Sequence, residues 1–369
     1  MGLEGLEQHT HLIPLEVDTA GAIWFGERLL FNQSGGLHVL AIGKCAAQLA
    51  LAATLRLGDV IVGGFIVGQS NESLGSVWSS GTGGHPRPNL LSVDTGKRLC
   101  AWLEVLKPSD QLLVLMSGGG SAMVEVPAAD WSIERLAEAR IKDLEAGLSI
   151  DRINRRAAQR SLIKDGGLAR RTACPWRQLT LNDVGDAPDG LVSSGLFLGL
   201  DGQDVTIANH RTAADCATRY LRSVGFRVWE GVTLDGEARV TGAQLDLPDG
   251  YTALVQSGET SVGGPYAGRG GRNLELVGGW IEAANLTSDW AIVSGASDGL
   301  DGSSGAAGAY WSSTDPIDKA TLRQALIEHN TAPWFRSAGR LLTKTAPSSH
   351  TGDLLILLRS SVDLERRGR

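Results

Sequence analysis

The chain has 369 residues, room for two domains at about 150 residues each, and its 42% apolar content excludes a disordered polymer. Its 48 glycines follow no period, which excludes a collagen-like chain. A net charge of -7, with no basic stripe beyond the tail ERRGR, speaks against nucleic-acid or membrane-surface binding, so an anionic ligand must meet local cations.

The N-terminal stretch MGLEGLEQHTHLIPLEVD has neither a positive region nor a long apolar core, and no stretch approaches about 18 uninterrupted apolar residues, so a cytoplasmic protein is expected. From Leu37 the text reads as an apolar strand, a Gly-Lys turn, an alanine-rich helix and a second apolar strand. Apolar runs buried on both faces and alternating with helices predict a parallel α/β sheet, whose ligands collect beyond the carboxyl ends of the strands. The pattern continues with a helix over LLSVDTGKRLCAWLEVL, a strand QLLVLM and the glycine turn SGGGSA. Residues 131–169 read as charged helix, followed by strand RQLTL, loop NDVGDAPDGLVSSG, strand DVTIAN, helix RTAADCATRYLRSVG and strand FRVWEGV. The polar stretch DGEARVTGAQLDLPDG predicts a boundary or crossover, giving domains at 1–240 and 250–369. A smaller α/β layer follows: strand YTALVQ, a glycine loop, helix RNLELVGGWIEAAN, strand DWAIVSG, two helices over 314–343 and strand DLLILL.

Cys45, Cys100, Cys174 and Cys216 show no CxxC or CxxH spacing and read as reduced, mostly structural thiols. HVLAIGKCAA satisfies neither the dinucleotide fingerprint nor the P-loop. It does place Lys44 where a strand gives way to a helix, so that an ammonium and helix amides can converge on an anion; the alternative is a solvated lysine at a turn. Ser117, Gly118, Gly119, Gly120 and Ser121 form either a concave set of amides and hydroxyls for a phosphate or carboxylate, or a tightly packed turn. His85, in GTGGHPRP, is a ligand-facing donor or part of a rigid turn. Asp183 with Asp186, and Asp298 with Asp301, stand at strand ends, a pattern suited to holding Mg²⁺ or accepting a hydroxyl proton, and equally to capping turns. The loop SGETSVGGPYAGRGGRNLEL, residues 257–276, pairs bare glycine backbone with two arginines. Together these supply what phosphoryl transfer needs: positioning, charge neutralisation, a metal and a base.

IGKCAA, GGHPRP, SGGGSA, INRRAAQRSLIKDGGLA, LNDVGD with VSSG, SGETSV, GRGGRNLEL and SDGLDGSSGAAGA occur in this order. The series resembles the glycerate 2-kinases of the MOFRL type, often labelled hydroxypyruvate reductases. The resemblance implies an α/β fold with a Rossmann-like N-terminal domain, a smaller C-terminal MOFRL domain and an active site in the cleft between them. It also implies phosphorylation of D-glycerate, or a related small hydroxy acid or sugar derivative, with ATP and Mg²⁺. Lys44, Asp183, Asp186 and Arg272 become the implied catalytic residues. His85, the turn from Ser117 to Ser121, Asn154, Lys164, Glu259 and Asn273 become substrate or phosphate contacts, and Asp186, Asp298 and Asp301 the metal set. The implied partners are the acceptor and ATP, with no nucleic acid and no membrane, and the state a monomer or homodimer. Ala157 and Gln159 stand where the family pattern carries Arg and His, which removes a fixed cation and a titratable donor. A hydroxypyruvate reductase and a catalytically impaired binding protein are the competing readings; the missing dinucleotide fingerprint weighs against the former.

Overall fold

The apolar runs that begin at Leu37 form a parallel sheet, and the sequences between them supply its helices. The computed structural model describes residues 13–32, 35–85, 87–146, 150–182, 189–198, 204–263, 268–284, 289–343 and 351–360. Contacts divide the chain into two compact units, Met1–Ile207 and Ala208–Arg369.

In the first unit, β1 (Leu15–Val17), β2 (Ile23–Phe25) and β3 (Arg28–Phe31) form a small antiparallel sheet upstream of the first expected strand. Then come β4 (Leu37–Ile42), α1 (Ala46–Leu57), β5 (Ile61–Gly68), β6 (Trp78–Thr82), α2 (Leu90–Glu104), β7 (Gln111–Ser117) and α3 (Gly120–Met123). They are followed by α4 (Ile133–Glu145), α5 (Ile150–Ala158), β8 (Trp176–Leu181) and β9 (Asp204–Ala208). The sheet order is β6-β5-β4-β7-β8-β9, and every pairing from β6 to β8 is parallel. β7 is buried along its whole length, as a central parallel strand must be.

α1 consists largely of strong helix formers and turns Leu49, Ala53 and Leu57 into the core at helical spacing. α2 begins with a reciprocal cap in which the Ser92 amide donates to Asn89 Oδ1 and the Asn89 amide donates to Ser92 Oγ. The stretch expected to be helical over 131–169 breaks into α4 and α5, the helix ends at Ala158, and Asp165 and Gly166 further on take φ of 52° and 72°. Chain order reverses between β4 and β7: β4 leads outward to β5 and β6, and the chain returns to β7 on the other side of β4. Ligands of open α/β sheets collect beyond the strand ends at such a reversal.

The second unit contains α6 (His210–Ser223), β10 (Val228–Glu230), α7 (Ala238–Ala243), β11 (Ala253–Gly258), α8 (Arg272–Ala283) and β12 (Trp290–Ala296). β13 (Gly308–Ser312), α9 (Lys319–Ile327), α10 (Thr331–Ser337), β14 (Leu341–Leu342) and β15 (Asp353–Arg359) complete it. Its sheet is mixed, in the order β10-β11-β15-β12-β13-β14, with β15 antiparallel to both β11 and β12. The expected boundary at 240–250 falls inside this unit. α6 and β10 belong to it because Leu221 and Val228 bury against Ala253 and Val255 of β11, and α7 occupies part of the expected linker. The four cysteines are free thiols, with Cys45, Cys100 and Cys174 buried. Among the described residues no helix is long and apolar enough to cross a membrane.

Candidate functional site

Three of the turns singled out in the sequence meet in the first unit at Gly119, beyond the carboxyl ends of β4 and β7. After β4, Gly43 takes φ 117° and the Lys44 amide donates to the Gly118 carbonyl at 2.9 Å. A Cβ at Gly43 would lie 2.3 Å from the Ser117 carbonyl oxygen, so only glycine lets the two strand ends approach this closely. Ser117 staples them: its hydroxyl donates to the Ile42 carbonyl at 3.2 Å and accepts from the Cys45 amide at 3.1 Å. Gly119 lies in the left-handed region at φ 85°, and a Cβ there would sit 3.0 Å from both Lys44 Cγ and His85 Cδ2. The lysine and the histidine therefore flank this glycine. A left-handed residue followed by helical ones is the backbone form that gathers amides into an anion-binding concavity.

A second layer fixes the turn. Ser193 and Ser194 both hold positive φ, 54° and 59°, which non-glycine residues adopt only at a cost of about 1–3 kcal/mol each. Ser193 Oγ donates to the Ser117 carbonyl at 2.9 Å. Ser194 Oγ donates to Asn154 Oδ1 at 2.8 Å and shares a further hydrogen bond with Ser121 Oγ, also 2.8 Å. Ser121 and Asn154 thus join the glycine turn to α5. Lys164 is buried and committed elsewhere: its ammonium pairs with buried Glu125, which also accepts from Ser161 Oγ. Its expected place on the substrate is accordingly taken by a carboxylate. Asp143 accepts from Arg156 at 2.6 Å and Arg160 at 2.8 Å; burial would raise its carboxyl, and the two guanidiniums outweigh that and hold it below the ordinary range.

In the second unit, Asp353 pairs in register with Gly258 and Ala296, between the carboxyl ends of β11 and β12. Arg272, the first residue of α8, grips it with two bonds, Nε to Oδ2 at 2.5 Å and Nη2 to Oδ1 at 2.8 Å, and Nη2 also donates to Glu259 at 3.0 Å. Burial alone would lower the arginine's pKa; Asp353 and Glu259 reverse this and hold it above its ordinary value. Asp301 is 1% exposed and accepts from the amides of Asn273 and Leu274, each at 3.0 Å, capping α8 from outside the helix. Burial pushes its carboxyl up to about 6 against these amide bonds. Asn273 is buried too, donating to Asp301 and accepting from Ser294 Oγ at 2.5 Å, so its amide serves the core instead of a ligand. Asp298 is half-buried and accepts from the Leu300 amide at 2.9 Å, the turn-forming alternative realised. The glycines before α8 have a packing cause: a Cβ at Gly271 would lie 2.3 Å from Asp301, and one at Gly268 2.4 Å from the Glu328 carbonyl.

Asp183 and Asp186 lie outside the described residues. Among the described residues no three His, Cys, Asp or Glu side chains converge as metal ligands. Asp301 in particular spends both oxygens on α8.

A domain of unknown function, DUF4147, matches residues 10–215, and the MOFRL family matches residues 252–352. The chain belongs to the DUF4147 family and carries a MOFRL domain toward its C-terminal end. It is 27% identical to the D-glycerate 2-kinase of Thermotoga maritima over 86% of this chain and 89% of the relative. It is 29% identical to an Agrobacterium vitis protein that carries a provisional hydroxypyruvate reductase name, over 88% of this chain and 99% of that one. The crystal structure of the Thermotoga maritima glycerate kinase superposes with a TM-score of 0.75 at 25% identity, covering 88% of this chain and 92% of that one.

The family's sequence pattern did not expose several residues that matter here. Ser193 and Ser194 were hidden because a positive φ at serine has no compositional signal, although the SSG run follows an Asp-rich loop. Asp353 was hidden because its partner Arg272 lies 81 residues away. Glu125 and Asp143 carry no motif signal in the sequence, and the fold buries both.

Proposed function

We propose that this chain is a kinase that transfers a phosphoryl group from a nucleotide, ATP with Mg²⁺, to a hydroxyl of D-glycerate or a closely related small hydroxy acid. The observation that carries the reading is the convergence of Lys44, His85 and the left-handed Gly119 at the β4/β7 reversal, in a chain whose relatives include a D-glycerate 2-kinase. There the Lys44 ammonium neutralises charge on a bound anion, and the glycine turn lets that anion approach the backbone without meeting a Cβ. His85, beside the same glycine, offers a ring nitrogen for a hydrogen bond to the same group. Ser117, Ser193, Ser194 and Asn154 keep the turn in place so that these donors need no rearrangement as charge develops. Mg²⁺, when bound with the nucleotide, supplies charge neutralisation at the phosphates and keeps most of its shell as water and phosphate oxygens, needing only one or two carboxylates.

Arg272 is assigned here as a structural element: its bonds to Asp353 and Glu259 tie α8 to the ends of the second sheet, and a contact with transferred phosphate would extend that role. The test is ADP release from MgATP across a panel of small hydroxy acids. Release that depends on D-glycerate or a close relative supports the reading; NAD(P)H consumption with hydroxypyruvate and no ADP release refutes it.

A further inference from the structure

A small cavity opens in the first unit beside Ser121, the last residue of the glycine turn, and α4 and α5 supply much of its wall, including Arg140 and Ala157. Its charged lining is mostly self-compensated. Lys164 is paired with Glu125, and Arg160 with Asp143, which also takes Arg156 from outside the cavity. Arg140 is the exception. Its Nε is sealed from water and has no hydrogen-bond partner among the described residues, and burial draws the guanidinium below its ordinary pKa, with Glu125 only partly opposing. Burying a charged donor without an acceptor is costly, and proteins retain such a group where something else completes it. The cavity's volume is about 20 Å³, against roughly 10–15 Å³ for a single water. That admits one or two oxygen atoms, the size of a carboxylate edge. Ala157 contributes only a methyl group to the wall, so the opening survives.

We propose that this cavity is the subsite for the acceptor's carboxylate and that Arg140 is the cation that holds it. The proposal rests on the kinase reading, because Ser121 joins the cavity to the turn assigned to the phosphoryl group. One carboxylate edge would satisfy the guanidinium fork and bring the cavity's excess charge to balance. A hydroxy acid anchored there presents its hydroxyl toward the glycine turn, which makes the acceptor a short acid and not a neutral polyol or a sugar.

The test is calorimetric titration of D-glycerate, and of glycerol as its uncharged counterpart, into the full-length protein without nucleotide. D-glycerate is expected to bind at least about 10-fold more tightly than glycerol, and Arg140→Gln to weaken it by about 10- to 100-fold, the worth of charge-assisted hydrogen bonds. Arg140→Lys should fall between, and Ala157→Leu, which plugs the cavity without touching a charge, should weaken glycerate as well. A structural arginine would melt earlier when replaced; here Arg140→Gln should melt no lower than the wild type, because it removes a donor, Nε, that is buried without an acceptor. Unchanged glycerate affinity in Arg140→Gln overturns the proposal. So does a loss of affinity for inorganic phosphate instead of glycerate. Arg140-dependent glycerate binding without phosphoryl transfer from ATP would sink the kinase reading and leave the subsite standing.

Discussion

Gly119→Ala probes the point where the site is built. The residue sits at φ 85°, and a Cβ would lie 3.0 Å from Lys44 Cγ and 3.0 Å from His85 Cδ2, so both side chains must yield by a few tenths of an ångström. The left-handed backbone costs about 1–2 kcal/mol for a non-glycine residue, which in a unit of this size lowers the melting temperature by about 2–8 °C. Activity should suffer more than stability does, since a displacement approaching 1 Å at a positioning group costs about 100-fold in rate. A fall of about 10- to 100-fold in kcat/KM for D-glycerate is expected, measured by coupled ADP release at a temperature where the variant is folded. Gly58→Ala is the control. It shares a positive φ, 51°, yet an added Cβ there meets nothing within 4 Å, so it should lose stability and keep its rate. If Gly119→Ala retains kcat/KM within about threefold while melting like Gly58→Ala, the convergence of Lys44 and His85 on this glycine has no catalytic meaning.

Lys44→Ala should lower kcat/KM by about 100- to 1,000-fold, the range seen for one preorganised charge-stabilising donor, with melting unchanged; a rate within threefold of wild type refutes the assignment. Arg272→Ala strands Asp353, whose side chain is 2% exposed, and should cost about 3–5 kcal/mol in urea unfolding, partly restored in Arg272→Ala/Asp353→Ala; a normal transition in the single variant would contradict the structural role. Asp301 titrates near 6 when folded against 3.8 as its unperturbed value, so its burial costs stability at pH 7, and that cost is relieved as pH falls through 6 toward 3.8. The stability of the wild type relative to Asp301→Asn should therefore rise by up to about 1.4 kcal/mol per pH unit between pH 6 and 4, and parallel curves would show that the carboxyl is not perturbed. Ala157→Arg should weaken glycerate binding, because its long side chain fills a space of about 20 Å³ even though it adds a cation; tighter binding in titration would reverse that reasoning.

Much of the fold was legible because its signals are local. The runs at Leu37, Gln111 and Ala253 are apolar, short and bounded by glycine, and each became a strand. The site was legible in the first unit for the same reason: Lys44, His85 and Gly119 each stand in a turn that follows a strand or opens a helix. Meaning that depends on distant partners was not legible. Asp301 and Asn273 read as ligand-facing acid and amide, and burial against α8 made them structural. Lys164 read as a phosphate contact until Glu125, 39 residues earlier, was brought onto it. The glycines before α8 suggested a ligand close to the backbone, whereas Gly271 and Gly268 are bare because Asp301 and the Glu328 carbonyl press against them.

The central claim is a phosphoryl transfer to a small hydroxy acid at the β4/β7 reversal. The most direct measurement is product analysis after incubating the full-length protein with MgATP and D-glycerate, following ADP and phosphoglycerate together in the wild type and in Lys44→Ala. Stoichiometric ADP and phosphoglycerate in the wild type, nearly abolished in a Lys44→Ala variant that melts normally, is the expected result. ADP release that ignores the hydroxy acid, or phosphoglycerate formed equally well without Lys44, would contradict it.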